Sequence, residues 1–426
     1  MSMLVVAASY VIHRASTPSD GTRGGYVTSS LSADGLVVAP IPGATTSLAD
    51  GDVVQAVDGV SLESWARSLF GVQPGQPTAT TAREGSVTYD IERNEEPISL
   101  AVALAAFPLV PALADYWATV LFATTMLLVA AYVFIRRPRD EAADALLIMG
   151  SALLASSVPW LLGFQALDLV GGWGFWLWAS ATFVVYGVFW IAVLHFALVF
   201  PRPSSVVRRR PWLVPGLYAV PFVAWPALAA TTIPASGSVL EWIRGWTSVQ
   251  LVVAGAVSVA AFALVVTTYF WRSGDADRRR LRWVALAAGF AAIATLTVWI
   301  APQVVIGSPL LPWNAIGIAG LGFPVAIAIA ILRHQLFDID VLMSRSVLYG
   351  GLTMGVAAVY GSVVAILEGV MQEGGEFAIP LLATGIGAFA MIPLYRWLSS
   401  VTARIWPATA PAVPGIHAAV SSAPGL

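Results

Sequence analysis

Few residues in this chain could do chemistry by type and spacing. There are four histidines, His13, His195, His334 and His417, and no cysteine. A zinc-hydrolase site needs two histidines one helical turn apart with a glutamate as general base, and no two of these four have that spacing. Without cysteine there is no disulfide, thiolate nucleophile or cysteine-type metal ligand. A Ser–His–Asp hydrolase needs a catalytic domain of its own, and the chain has no length left for one. Gly385-Ile386-Gly387-Ala388-Phe389-Ala390 formally fits a dinucleotide fingerprint. It sits in an apolar run with no strand before it and no acidic residue after it, so it reads as small-residue helix packing. Gly320-Leu321-Gly322-Phe323 reads the same way. The expectation is a protein with no catalytic residue, no metal and no cofactor. The apolar stretches are almost free of charge; His195 lies near the cytoplasmic end of one, and Asp115, Asp144 and Glu368 lie at the ends of others. His195 could be a ligand or pH-sensing group, or it could make an interhelical hydrogen bond.

The elements around these residues follow from composition. Of 426 residues, 58% are hydrophobic and 11% charged, with mean hydropathy +0.78. A soluble domain carries about 25% charged residues; this chain lacks the polar surface to cover itself and reads as a polytopic helical membrane protein. Its 22 basic residues are all arginine, against 24 acidic ones, a balance that argues for no nucleic-acid partner. Nine full spans are expected, at 114–135, 143–163, 173–200, 212–232, 247–271, 283–306, 313–332, 347–368 and 377–396. The weakest is 212–232, which Pro215, Pro221 and Pro226 interrupt. Residues 3–13 form an apolar run of about eleven, short of the ~20 a bilayer needs. Residues 1–14 therefore read as a partial first transmembrane helix or a leader. Arginines cluster at 136–139, 202–210, 272–282 and 333–345, in alternate loops. The positive-inside rule makes those loops cytoplasmic. The segment before the first full span then lies outside a bacterial plasma membrane and the C-terminus inside. Trp160, Trp173, Trp242, Trp246, Trp299 and Trp313 fall at the outer interface.

Residues 15–100 differ in character. Short apolar runs at 36–39 and 53–57, with turns at Pro42-Gly43, Gly51-Asp52 and Asp58-Gly59, read as strands of a small α/β domain. Gly85 to Arg93 alternates like a strand of a closing hairpin. The stretch Gly35-Leu36-Val37-Val38-Ala39-Pro40-Ile41-Pro42-Gly43, followed by Gly51-Asp52-Val53-Val54-Gln55-Ala56-Val57-Asp58-Gly59, resembles the central pattern of PDZ domains over about 24–104. PDZ domains add an extended peptide to a sheet edge. The resemblance implies that Gly24, Gly25, Tyr26 and Val27 border such a groove, for an extracytoplasmic peptide or protein C-terminus. A structural module with a blocked groove stands as the alternative.

The membrane half resembles the multi-span input regions of bacterial sensor histidine kinases, of the type carrying an extracytoplasmic PDZ-like domain. The resemblance is carried by His195-Phe196-Ala197-Leu198-Val199-Phe200-Pro201 and by Arg333-His334-Gln335-Leu336-Phe337-Asp338-Ile339-Asp340 with the residues to Gly350. It implies a cytoplasmic relay loop built on Arg333, Phe337, Asp338, Asp340 and Arg345; a solvated loop is the plain alternative. It also implies a kinase core after Arg396. Residues 397–426 are instead a Pro/Ala-rich cytoplasmic tail, so no enzymatic activity is expected of this polypeptide, and a separate kinase would be its partner. Membrane lipid is a second expected partner. The small-residue face of Gly351, Gly355, Ala358 and Gly361 could serve a homodimer or packing within one subunit. The expected function is a sensor or receptor module; a membrane scaffold without signalling and a transporter are the alternatives.

Overall fold

The computed structural model describes residues 2–24, 30–71, 85–234, 236–272, 274–300, 302, 308–332 and 378–405, with single helical positions at 352, 355, 356, 359 and 363. Helix α1 (Ser2–Ser16) leads into strands β1 (Pro18–Ser19), β2 (Thr22–Gly24), β3 (Leu31–Ser32), β4 (Gly35–Pro40), β5 (Val53–Val57) and β6 (Val60–Ser61). Helix α2 (Leu62–Leu69) follows, then β7 (Ser86–Arg93), β8 (Glu96–Ala103) and β9 (Ala105–Ala106). The main sheet runs β2-β4-β5-β7-β8, antiparallel throughout, with β3 beside β4 and β6 beside β5. A separate clasp pairs β1 with β9.

Local rules explain these strands. Asp58 and Gly59 have φ of 52° and 74°, so the two-residue turn joining β5 to β6 matches the strand twist. Asn94 and Glu95 do the same for β7 and β8, at φ 53° and 67°. Gly35, at φ 151°, lets β4 lie so close to β5 that any Cβ there would run into the Val54 carbonyl. Ser61 caps α2 by accepting from the Ser64 amide at 3.2 Å, and Leu62, Trp65 and Ala66 turn one buried face to the sheet.

Helical structure dominates the remainder. After α3 (Leu109–Asp115) come α4 (Trp117–Arg136), α5 (Glu141–Leu162), α6 (Ala166–Gly171), α7 (Trp173–Val199), α8 (Ser205–Arg209), α9 (Leu213–Thr232) and α10 (Val239–Trp271). Then follow α11 (Asp275–Thr295), α12 (Gly322–Leu332) and α13 (Ala378–Ile405). Among the described residues, α4, α5, α7, α9 and α10 are long and apolar enough to cross a membrane. Pro221 and Pro226 lie inside α9 without ending it. Pro215, Pro221 and Pro226 therefore cost the span less than the sequence suggests, as neighbouring helices in membrane proteins can re-satisfy freed carbonyls. A π-helical turn at Ser180–Val185 interrupts α7.

The chain divides into two compact units, residues 1–291 with 314–332, and 292–313 with 333–426. In the first, the sheet shares one core with the helices: Leu36, Val54, Leu62 and Tyr89 are continuous with Ala155, Leu162, Phe164, Phe175 and Ile243. A second cluster joins α4, α5 and α7 at their other ends, around Met126, Leu146 and Phe196. Gly320 closes against the Phe122 ring, where a Cβ would come within 2.7 Å, so the Gly320–Phe323 motif is a packing contact. In the second unit, Gly355 abuts the Leu394 side chain of the same subunit. The Gly385–Ala390 motif lies inside α13.

Candidate functional site at the sheet and helix junction

Arg14 stands in the last turn of α1 and is 2% exposed, as is Asp168 on α6. A buried guanidinium is costly unless its charge is paired and hydrogen-bonded; Arg14 Nε is buried without a partner, and the two terminal nitrogens make the bonds. Arg14 Nη1 and Nη2 donate to the two oxygens of Asp168 at 2.9 and 2.6 Å. Nη1 also donates to Gln165 Oε1 at 3.0 Å, and Nη2 to the Tyr10 hydroxyl at 2.8 Å and the Gly163 carbonyl at 2.7 Å. The Tyr10 hydroxyl in turn donates to the Gly163 carbonyl at 2.9 Å. The Asp168 carboxylate accepts the Gln165 amide at 2.7 Å and thereby starts α6.

Gln165 carries the network into the sheet. Its Nε2 donates to the Ser19 hydroxyl at 2.8 Å, Asp20 Oδ1 at 3.2 Å and the Thr22 carbonyl at 2.5 Å. Asp20 also accepts the Thr22 amide and hydroxyl, at 2.8 and 2.9 Å, and the Tyr89 hydroxyl at 2.7 Å. Burial pushes the Asp20 carboxyl above the usual carboxylate range, against the pull of those donors and the Arg14 charge. The unfolded group titrates near ~3.9. Folded Asp20 thus holds its proton to higher pH than unfolded, so its share of stability falls as pH rises from about 3.9 through the raised value. Asp20→Asn is expected to remove that decline. The amide oxygen keeps the Thr22 donors, and the Tyr89 hydroxyl turns to accept from the new NH2. Unfolding midpoints from pH 4 to 8 test this; an unchanged slope counts against it. Asp52 has the opposite sign. Burial raises it, but two 2.7 Å bonds from Arg93, the Ala49 amide and the Arg93 charge together hold it below the ordinary value. That stability is present above about pH 3.9 and lost as pH falls through the folded value.

A second contact joins α2 to the start of α10. Glu63 accepts the Ser238 hydroxyl at 2.9 Å and the Val239 and Leu240 amides at 2.8 and 3.1 Å. Arg67 donates to Glu63 at 2.8 Å and also to the Gly237 carbonyl. A carboxylate from the sheet domain thus satisfies the free amides of a long apolar helix, where its charge also suits the helix dipole. Beside it Phe70 meets Phe175, Trp176 and Trp242 edge-on, with centroids 5.1–5.5 Å apart. Glu63→Ala is expected to lower stability by about 1–2 kcal/mol, the worth of a lost cap. Glu63→Gln, which retains an acceptor, should recover part of it. Thermal unfolding in one detergent checks both, and two unchanged midpoints would refute the cap.

Of the residues expected to border a peptide groove, Gly24 is buried at the end of β2, the edge strand. Its amide donates to the Phe164 carbonyl at 2.6 Å, forming an antiparallel bridge to the segment between α5 and α6. A Cβ at Gly24 would meet Leu36 and that carbonyl at 3.0 Å. Gly25, Tyr26 and Val27 lie outside the described residues, as do Arg333, Phe337, Asp338, Asp340 and Arg345. His195 is 8% exposed on α7, its Nδ1 3.2 Å from the Tyr218 hydroxyl of α9. It makes the interhelical hydrogen bond.

Sequence reasoning did not single out Arg14, Gln165, Asp168 or Glu63. A signal existed for two of them. Arg14 ends an apolar run and Asp168 stands between two apolar segments, and a charge so placed in a membrane protein usually has a partner. No family model matches this sequence, and no curated protein or solved structure matches it either. Fold and site define a mostly helical protein with, among the described residues, five helices able to cross a membrane and an N-terminal sheet domain keyed into the helix ends.

Proposed function

We propose that the chain is a multi-pass plasma-membrane sensor or receptor module. Its sheet domain is extracytoplasmic and PDZ-like and takes a peptide or protein C-terminus, and its helices relay the bound state inward to a separate cytoplasmic kinase. The observation that carries the reading is the direct wiring of the sheet domain into the helices. Arg14, Gln165 and Asp168 tie α1, the sheet and α6 into one buried network, and Glu63 caps α10. Signalling requires a ligand to favour one helix arrangement over another, and a sheet domain bonded to helix ends gives a ligand that leverage. The sheet domain and the arginine-bearing α4–α5 turn lie at opposite ends of α5, in keeping with an outside and an inside. The nine-span count and the inward C-terminus belong to the same reading.

The test uses the full chain in lipid nanodiscs, panned with a displayed library of peptides bearing free C-termini. A selected peptide is expected to change hydrogen exchange in the 137–141 turn. Binding that leaves this turn unaltered would favour the membrane scaffold. Solute flux in proteoliposomes would favour a transporter.

A further inference from the structure

The outer edge of β2 is not open. Phe164 and Gln165 run beside it after the turn at Gly163: the Phe164 carbonyl takes the Gly24 amide, and the extended Gln165 sends its side chain to donate to the Thr22 carbonyl. The Phe164 side chain is 2% exposed, with Trp178 at 5.0 Å and Phe175 at 6.4 Å between ring centroids. Backbone hydrogen bonding to a sheet edge plus one anchored side chain is how extended peptides are recognised by strand addition. We propose that residues 163–165 are a built-in edge ligand. The partner of this site is an extended peptide with an aromatic anchor, and it binds by displacing the chain's own segment. The inference rests on the receptor reading for its biological sense, though not for its geometry.

The mechanism is competition within one molecule. A tethered segment acts at a high effective concentration, so an outside peptide sees only the fraction of molecules in which the edge is free, and its apparent affinity falls by that fraction. Displacement also breaks what the same segment holds. The Gly163 carbonyl accepts from Tyr10 and Arg14, and Gln165 accepts from Arg14 and opens α6. Occupying the edge therefore loosens α1 and the start of α6 while the Arg14–Asp168 pair still joins them. That is the differential contact a relay needs.

The probe is a synthetic peptide of residues 161–168, which carries the recognition groups of the internal copy, with a control in which its phenylalanine is alanine. In the full chain, Gln165→Leu removes the donors to Thr22, Ser19 and Asp20 and weakens the internal copy. This variant is expected to bind the peptide at least about tenfold more tightly than the wild type, although its melting temperature is lower. The control peptide should bind neither. A purely structural role for Gln165 predicts lost stability with no gain in affinity, and that result overturns the proposal. Should the variant not fold, hydrogen exchange on the wild-type chain decides. The Gly24 amide should open while the Val38 amide, bonded to Asp52 at 2.9 Å, stays protected; equal opening energies overturn the proposal. Tighter peptide binding without change in the 137–141 turn would uphold the edge ligand and sink the receptor reading. No tightening would sink the edge ligand and leave the receptor reading to a ligand bound elsewhere.

Discussion

Asp168→Ala is expected to destabilise the first unit by about 3–5 kcal/mol, because it leaves a buried guanidinium without its counter-charge. Arg14 is 2% exposed and its two terminal nitrogens make five hydrogen bonds, two of them to Asp168. Tyr10, Gln165 and the Gly163 carbonyl remain in the variant, but none carries charge. The loss should reach beyond α6, since the Gln165 amide also gives up its acceptor. Replacing both partners distinguishes a misplaced charge from a missing contact. Arg14→Met with Asp168→Leu exchanges the pair for apolar volume and should recover most of the loss, as buried ion pairs are often matched by well-packed apolar residues. Chemical unfolding of the single and double variants in the same detergent reads the difference. If the double variant is no more stable than Asp168→Ala, the uncompensated charge is not the cause.

The second large effect is expected at Gly163. Its φ is 78°, a region costly for a side chain, and a Cβ there would collide with Arg23 Cβ. Gly163→Ala therefore adds backbone strain to overpacking, at a cost of about 2–4 kcal/mol. The displaced carbonyl would abandon both Tyr10 and Arg14. Arg23, pushed aside, would lose its ion pair with Asp115 at the end of α3. Gly171→Ala is the control, since nothing lies within 4 Å of the position its Cβ would take and its backbone is not left-handed. A midpoint shift for Gly163→Ala no greater than for Gly171→Ala would remove the argument.

Much of the fold is legible locally. The strands expected at 36–39 and 53–57 are β4 at Gly35–Pro40 and β5 at Val53–Val57, bounded by the turn glycines that suggested them. The expected 85–93 strand is the first arm of the β7–β8 hairpin. The span at 212–232 matches α9 to within a residue, prolines included. In each case the signal lies in adjacent residues: a turn residue at positive φ, or an apolar run of membrane length. The candidate site is another matter. Gly24 was singled out as a groove residue, yet its partner is Phe164, 140 positions away, and nothing near either residue encodes that bridge.

The sequence by itself determined the class. With 11% charged residues and long apolar runs, the chain needs a membrane or an equivalent apolar surrounding. It also determined the N-terminal strands, because β turns and alternation are written in neighbouring residues. Only the tertiary structure decided that the sheet domain is part of the helix assembly and not a module hung from it. Arg14 and Asp168 lie 154 positions apart, and Glu63 reaches the Val239 amide 176 positions away. Burying Arg14 alone would be costly; the burial becomes tolerable only when α6 brings the carboxylate into contact. A sequence shows that a charge or an apolar face exists, whereas its partner is chosen by the geometry of the folded chain.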